Sequence, residues 1–401
     1  MADTCPTSAT TVRCIIFDLD GTVLDTETLV LEVVKVVVES HGKSLTTAAA
    51  TQALGMRPLD AWAAVARTLG IDKSAEELFA QSEPLLRDRW HEAPLLPGVA
   101  RLVAHLKLHG VPLALATSTS RATLDRKLSS KDDMRQAFAQ ACCGDEVAQG
   151  KPAPDCFLQL AQRLGLAPGE CLVIEDAPAG VQAAAAAGMR VVVVPSLVLQ
   201  GGKPSELYTA PAPSAAAGCV SLLPSLLDFR PEHYGLPPFT DYIGETIPMH
   251  PVVRIKGTVV KGFGRGSKQL GIPTANVDPD SLRTVLAEAV TGIFAGWAAV
   301  GHSPKLYKTA CSIGFNPVFG NQSKTCEPWL LHDFGGEDFC GSEIRLIICA
   351  YIRPEANFPS LQALIDRIHK DAAVTEEALE GDMYQHYKLD PFLAPQPDGC
   401  G

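Results

Sequence analysis

The sequence predicts an α/β doubly wound parallel-sheet domain with a helical cap, followed by an antiparallel β-barrel domain with a C-terminal helix. Three observations lead there. Short apolar strands alternate with helical stretches through the first half of the chain, the pattern of a parallel sheet wound by crossover helices. About ninety residues rich in helix formers separate the first of those strands from the second, far more than one crossover needs. From about residue 248 the texture becomes short alternating or continuous apolar runs at close spacing, which reads as antiparallel strands.

Taken in order, "VRCIIFDLD" (Val12 to Asp20) reads as a buried strand ending in carboxylates, and Leu29 to Ser40 as a helix. Residues 26–95 form the expected inserted cap. The next strands are "VPLALATS" (Val111 to Ser118), "CLVIED" (Cys171 to Asp176) and "RVVVVP" (Arg190 to Pro195), with helices over Pro154 to Leu164 and Ala179 to Ala187 between them. After Pro195 a Gly/Pro/Ala/Ser-rich stretch leads to "VSLLPSLLDF", which reads as a last helix, and to the proline-punctuated "RPEHYGLPPF". The domain boundaries are expected at 11–235, a linker at 236–247, and 248–390. In the second domain "VRIKGTVVKGF", "GIFAGWAAV", "YKTACSIGF" and "EIRLIICAYI" are strands, and one helix is entered at Pro359-Ser360 with Leu361, Leu364, Ile365 and Ile368 on one face.

Composition narrows the partners. With 401 residues, 46% hydrophobic and 20% charged, the chain can bury two cores without staples. It has no apolar run near the eighteen or so residues a membrane helix needs. A net charge of −11 argues against nucleic acid or an anionic membrane as partner and leaves room for local basic patches that hold small anions. Its twelve cysteines form no CxxC pair, so reduced thiols are expected. The opening "MADTCPTSATTVR" has no apolar core of a signal segment, which sets the expected location as cytoplasmic. Oligomeric state is not legible.

"FDLDGTVLDT" (Phe17 to Thr26) places two aspartates at the end of a parallel strand. There Asp18 can attack phosphorus and carry the phosphoryl group covalently. Asp20, two residues on and facing the same way if the strand continues, can protonate the leaving oxygen and later deprotonate water. Carboxylates facing a phosphate dianion require a divalent cation, Mg2+, whose shell would take Asp18, Asp20 and, from "IEDAPAG", Asp176 beside Glu175. Thr117 with Ser118 at the end of "LALATS", and Lys151 in "GKPAPD", supply hydroxyl and cation for the phosphate. Arg57 in "ALGMRPLDAW" is a candidate substrate-facing cap residue.

This ordered set resembles the haloacid dehalogenase-like phosphatases with a helical cap, over residues 11 to 230. The resemblance implies Asp18 as nucleophile, Asp20 as acid/base, Thr117 and Lys151 on the phosphate and Asp176 on Mg2+. It implies the mechanism and leaves the phosphomonoester open.

A second phosphate motif is "GFGRGSKQLGIPTAN". Gly262, Gly264 and Gly266 free backbone N–H groups to approach an oxyanion, while Lys261, Arg265 and Lys268 add charge beside Ser267. It matches neither GxxxxGK[ST] nor a dinucleotide fingerprint in its strand–helix context. Pro273 stiffens the chain, and Thr274 and Asn276, two apart, present oxygens on one face suited to a Mg2+-nucleotide. With "SIGFNPVF", "KTCEPWLLHDF", "EDFCG" and "YIRPEANF" following in order, residues 250 to 390 resemble riboflavin kinase. That resemblance implies Thr274 and Asn276 on metal and ATP phosphates and the glycine loop over the nucleotide. It also implies Glu327 as the base for the terminal ribityl hydroxyl of riboflavin. Arg353 is then a candidate for stacking on the isoalloxazine ring, against a salt bridge to Glu355 or another carboxylate. Cys340, where the family commonly has tyrosine, and the pair Gly335-Gly336 depart from the pattern.

Both halves in this order resemble the plant and algal bifunctional flavin mononucleotide (FMN) hydrolase/riboflavin kinases. The implied substrates are FMN for the first domain and riboflavin with ATP for the second. The alternative expectation is a kinase fused to a phosphatase for another small phosphomonoester, such as a sugar phosphate.

Overall fold

The computed structural model describes residues 11–46, 48–50, 58–195, 220–260, 274–282, 291–315, 324–335 and 339–395. Two compact units result, residues 1–226 with 230–237 and residues 227–229 with 238–401. Arg57 and the loop carrying Lys261, Gly262, Gly264, Gly266 and Ser267 lie outside the described residues, as does Gly336.

The first unit is built on a six-stranded, all-parallel sheet. Its strands are β1 (Cys14–Phe17), β2 (Leu113–Ala116), β3 (Gln140–Cys142), β4 (Cys171–Glu175), β5 (Arg190–Val193) and β6 (Val220–Leu222), in spatial order β3-β2-β1-β4-β5-β6. β1, β2 and β4 are buried at every position, as expected of strands covered on both faces by helices. Order reverses around β1, so the ends of β2, β1 and β4 meet where ligands bind in such sheets. "VSLLPSLLDF" is split rather than the single helix expected: Val220–Leu222 pairs as a strand with Val191–Val193, Pro224 separates the halves, and only Leu226–Asp228 turns, as a short 3-10 helix.

The described residues of the inserted segment include the α-helices Thr26–Ser40, Pro58–Leu69 and Ala75–Arg89 and a 3-10 turn at Trp90–Glu92. They carry a core of their own around Val33, Val37, Trp62, Val65 and Leu78. Trp62 donates its indole N–H to the buried Ser82, and Ser74 with Glu77 closes a reciprocal cap at the start of the third helix.

The second unit is an antiparallel, nearly closed barrel. Its strands are β7 (Ile247–Val260), β8 (Asn276–Val277), β9 (Gly292–Val300), β10 (Leu306–Phe315), β11 (Lys324–Leu330) and β12 (Glu343–Arg353), in order β11-β10-β9-β12-β7-β8. The Ala275 N–H donates to the Pro328 carbonyl at 2.9 Å, bringing the last strand in this order back to the first. Within the stretch expected to link the domains, Thr246 is buried and exchanges a hydrogen bond with Tyr384 at 2.9 Å, and Ile247 joins the barrel core.

The helix Leu361–Ala378 starts on the side chain of Ser360, which accepts from the Ala363 N–H. Its buried residues are Asp371, Ala372, Val374, Thr375 and Ala378, whereas Leu361 is exposed and Leu364 and Ile368 are half-buried. The predicted apolar face is therefore not a core face along its length. Its middle borders a cavity.

Among the described residues no helix is long and apolar enough to cross a membrane, and the nine cysteines are all free.

Candidate active sites

In the first unit Asp18 follows directly on β1, its N–H held by the Ile174 carbonyl of β4 at 2.9 Å. Thr117 follows on β2, its N–H on the Cys142 carbonyl at 3.0 Å. Glu175 ends β4 and Asp176 follows it. Parallel strands all deliver their carboxyl ends to one side, so residues distant in the chain converge. Lys151, from the turn before the helix Asp155–Leu164, donates to Asp18 Oδ1 at 2.5 Å, to Glu175 Oε1 at 2.6 Å and to the Ala116 carbonyl at 3.0 Å.

The surroundings hold these groups in place. Glu175 turns its other oxygen to the N–H groups of Asp176 and Ala177 at 2.9 and 3.0 Å. It lies so tightly over the helix Pro178–Ala186 that a Cβ on Gly180 would stand 1.6 Å from its Oε1. Gly144 likewise lets the chain approach Ser118, whose carbonyl oxygen would be 2.3 Å from an added Cβ. Thr117 Oγ1 accepts the Thr119 N–H at 3.1 Å, which aims the hydroxyl hydrogen elsewhere. Thr22 donates to Asp176 Oδ1 at 3.2 Å.

Asp18, Glu175 and Asp176 are buried and bring carboxylate oxygens within 4.8 Å of one another. Burial pushes Asp18 up to about 7; Lys151 opposes the shift, and the charges of Glu175 and Asp20 add to it. Burial also works against the Lys151 ammonium, but Asp18 and Glu175 outweigh it and hold its pKa above the ordinary lysine value. One lysine beside three buried carboxylates leaves negative charge in excess, and a hard dication with oxygen ligands offsets such an excess. The donor set fits Mg2+ between Asp18 and Asp176.

Asp20, expected both as acid/base and in the metal shell, has its carboxylate 2.5 Å from Lys127 Nζ. Lys127 is 4% exposed, on the helix Arg121–Lys127, and its ammonium lies 4.3 Å from the centroid of the Trp90 ring at the exit of the inserted segment. Sequence reasoning missed Lys127. The available signal was its phase: it sits three residues after the buried Leu124, on the inward face of a short helix.

In the second unit a cavity of about 310 Å³ opens between barrel and C-terminal helix. Thr274, Ser312, Glu327 and Arg353 line it, with Trp329, Phe358, Leu364 and Ile368 as its apolar walls. Ala275 and Val277 point into the barrel core, so strand alternation turns Thr274 and Asn276 together to the other face. The Ala275–Pro328 bond sets Thr274 beside β11. Ser312 faces Glu327 directly across β10 and β11. Burial raises the Glu327 pKa above the ordinary glutamate value; a hydrogen bond from Thr325 opposes this.

Arg353 borders the cavity with a salt bridge to Asp371, at 2.6 Å, rather than to Glu355. Cys340, exposed, points its thiol to the Val259 carbonyl at 3.7 Å, and Gly335 adopts a φ of +61° that glycine accommodates without strain.

Residues 12–188 match the haloacid dehalogenase-like hydrolase family and residues 249–379 the riboflavin kinase family. The chain is 43% identical over 380 residues to the bifunctional riboflavin kinase/FMN phosphatase of Arabidopsis thaliana, covering 95% of this chain and 96% of that protein. Its second half is 44% identical over 138 residues to the riboflavin kinase of Homo sapiens, covering 34% of this chain and 88% of that one. Its first half is 36% identical over 231 residues to a probable pseudouridine-5'-phosphatase of Drosophila melanogaster, covering 56% and 95%.

Proposed function

The chain belongs to the bifunctional riboflavin kinase/FMN phosphatase family, and on that premise we propose that its two units catalyse opposite reactions on one flavin. The first hydrolyses FMN to riboflavin and phosphate through an aspartyl-phosphate on Asp18. The second transfers the terminal phosphoryl group of ATP to riboflavin. The observation that carries this reading is the pairing of a buried, lysine-bridged carboxylate cluster at Asp18 with a separate cavity holding Glu327 and Thr274.

In the first unit Asp18 Oδ attacks phosphorus, the bond to the ester oxygen breaks, and Asp20 gives that oxygen its proton. Asp20 then takes a proton from the water that attacks the aspartyl-phosphate, which releases inorganic phosphate and restores Asp18. Lys151 and Thr117 hold the phosphate oxygens. Mg2+, held by Asp18 and Asp176, would neutralise charge between nucleophile and phosphate.

In the second unit Glu327 accepts the proton of the terminal ribityl hydroxyl as its oxygen displaces ADP from the transferred phosphoryl group. No enzyme-bound phosphate is needed, and positioning with charge neutralisation suffices. Thr274 and Asn276 carry the oxygens for the metal and the ATP phosphates. Run together the two reactions sum to ATP hydrolysis, so opposed control is expected.

One assay tests the reading. Purified protein with FMN and Mg2+ but no ATP should release riboflavin and phosphate, and with riboflavin and ATP should form FMN and ADP. A panel of phosphomonoesters should rank FMN high. A sugar phosphate turned over far faster than FMN would replace FMN as substrate while leaving the kinase reading intact.

A further inference from the structure

We propose that Asp371 is a positioning residue for flavin recognition, acting through Arg353 to fix one polar wall of the barrel cavity against the planar ring. The inference rests on the kinase reading. Asp371 lies in phase with Leu364 and Ile368 on the helix Leu361–Ala378, borders the same cavity and is 2% exposed. Its carboxylate accepts from Arg353 Nε at 3.0–3.1 Å, from Arg353 Nη2 at 2.6 Å and from Arg367 Nε at 2.9 Å.

The remaining constraints on Arg353 point the same way. Its Nη1 donates to the Pro354 carbonyl at 2.9 Å, and the guanidinium carbon lies 5.6 Å from the centroid of the Phe358 ring. Its backbone is pressed against Gly292, which adopts φ +133°, and a Cβ there would be 2.7 Å from the Arg353 carbonyl oxygen. A planar cation is thus gripped along one edge by a carboxylate, at its tip by a carbonyl and through its backbone by a glycine. Its orientation is set before any ligand arrives.

Stability alone gives little reason for this arrangement, because a buried ion pair contributes no more than well-packed apolar side chains of the same volume. Leu364 and Ile368 stay half-buried and so leave apolar surface for a ligand to cover. A flat heteroaromatic ring with carbonyl oxygens at its edge matches both features. Its faces lie against apolar walls, and its carbonyls accept from guanidinium hydrogens that Asp371 and Pro354 leave over. Lengthening or loosening the Asp371 grip would blur where those donors stand.

The test uses the full chain and two probes, riboflavin and lumichrome, the flavin ring without its ribityl chain, read by fluorescence titration. Asp371→Asn keeps the volume and removes the charge. It should weaken both probes by the same factor, about tenfold, and should act on the KM for riboflavin rather than on kcat. In an Arg353→Met background the same substitution should cost nothing further, because the partner through which Asp371 acts on the cavity would be gone and Arg367 does not line it. An unchanged lumichrome affinity in Asp371→Asn, or a full additional loss in the double variant, overturns the inference. The KM for ATP and the phosphatase rate of the same sample report loss of fold: if either collapses, the charge-conserving Asp371→Glu, which lengthens the grip, is measured in its place, and a lumichrome affinity equal to wild type there also overturns the inference. Wild-type protein that binds neither probe would instead remove the kinase reading.

Discussion

The two candidate sites handle phosphate in opposite electrostatic styles. At the ends of β1, β2 and β4, charge sits on charge: Lys151 spans two carboxylates, Lys127 holds a third, and a further acid waits at Asp176. In the barrel cavity Glu327 shares its walls with the hydroxyls of Thr274 and Ser312 and with apolar side chains, while the one arginine of the described lining, Arg353, is taken up by Asp371, and burial drives the Glu327 pKa upward. The contrast follows from what each carboxylate has to do. Burial raises Asp18 as well, to about 7, and under the proposed mechanism a nucleophile that must ionise beside a dianion needs the opposing pull that Lys151 supplies. A base for a neutral alcohol, the role proposed for Glu327, works best when its proton affinity is raised toward the working pH, and among the described residues no cation is paired with Glu327 to oppose that rise.

The largest expected effect that separates the two is Asp18→Asn. Removing the attacking oxygen should abolish phosphate release from FMN, by about a thousandfold or more, and leave ADP formation with riboflavin unchanged. Loss of both activities together would show that the sites are not independent. Next is Glu327→Gln, which should cost the kinase about a hundredfold or more and spare the phosphatase.

The same residue predicts a pH dependence. Protonated Glu327 cannot accept the ribityl proton, so kinase turnover should rise with pH along an acid limb displaced above the ordinary glutamate range. Thr325→Val removes the hydrogen bond that favours the ionised form, and should move that limb to higher pH. An acid limb that stays put in Thr325→Val, or survives in Glu327→Gln, would assign it to another group.

The smallest effect concerns Lys127. Lys127→Met leaves Asp20 without its ion-pair partner, and FMN hydrolysis should fall about tenfold. The loss should shrink with p-nitrophenyl phosphate, whose leaving oxygen needs no proton, because the partner of Lys127 is the acid. Equal losses on both substrates would place Lys127 in general packing instead.

Much of the first unit was legible because each parallel strand delivers its functional residues at the end of a short apolar run. Asp18, Thr117 and Asp176 are marked by where their strands stop, and the chain has little freedom to send them elsewhere. The helix read over "VSLLPSLLDF" failed in its first half, Val220–Leu222, for the converse reason. Three apolar residues before a proline carry no period long enough to distinguish helix from strand, and pairing with β5 decided the matter.

In the second unit the motif "GIPTAN" and the strand carrying Glu327 are visible in the chain, but their meeting depends on the bond from Ala275 to Pro328, which closes the barrel. The alternation of apolar and polar residues determined two domains, their strand character and which carboxylates end strands, since those are local consequences of backbone period and burial. Only tertiary structure decided that Lys127 pairs with Asp20, that Arg353 answers to Asp371 and not to Glu355, and that Leu364 and Ile368 border a cavity. A charged side chain reaches several ångströms, and its partner is selected by packing between segments far apart in sequence.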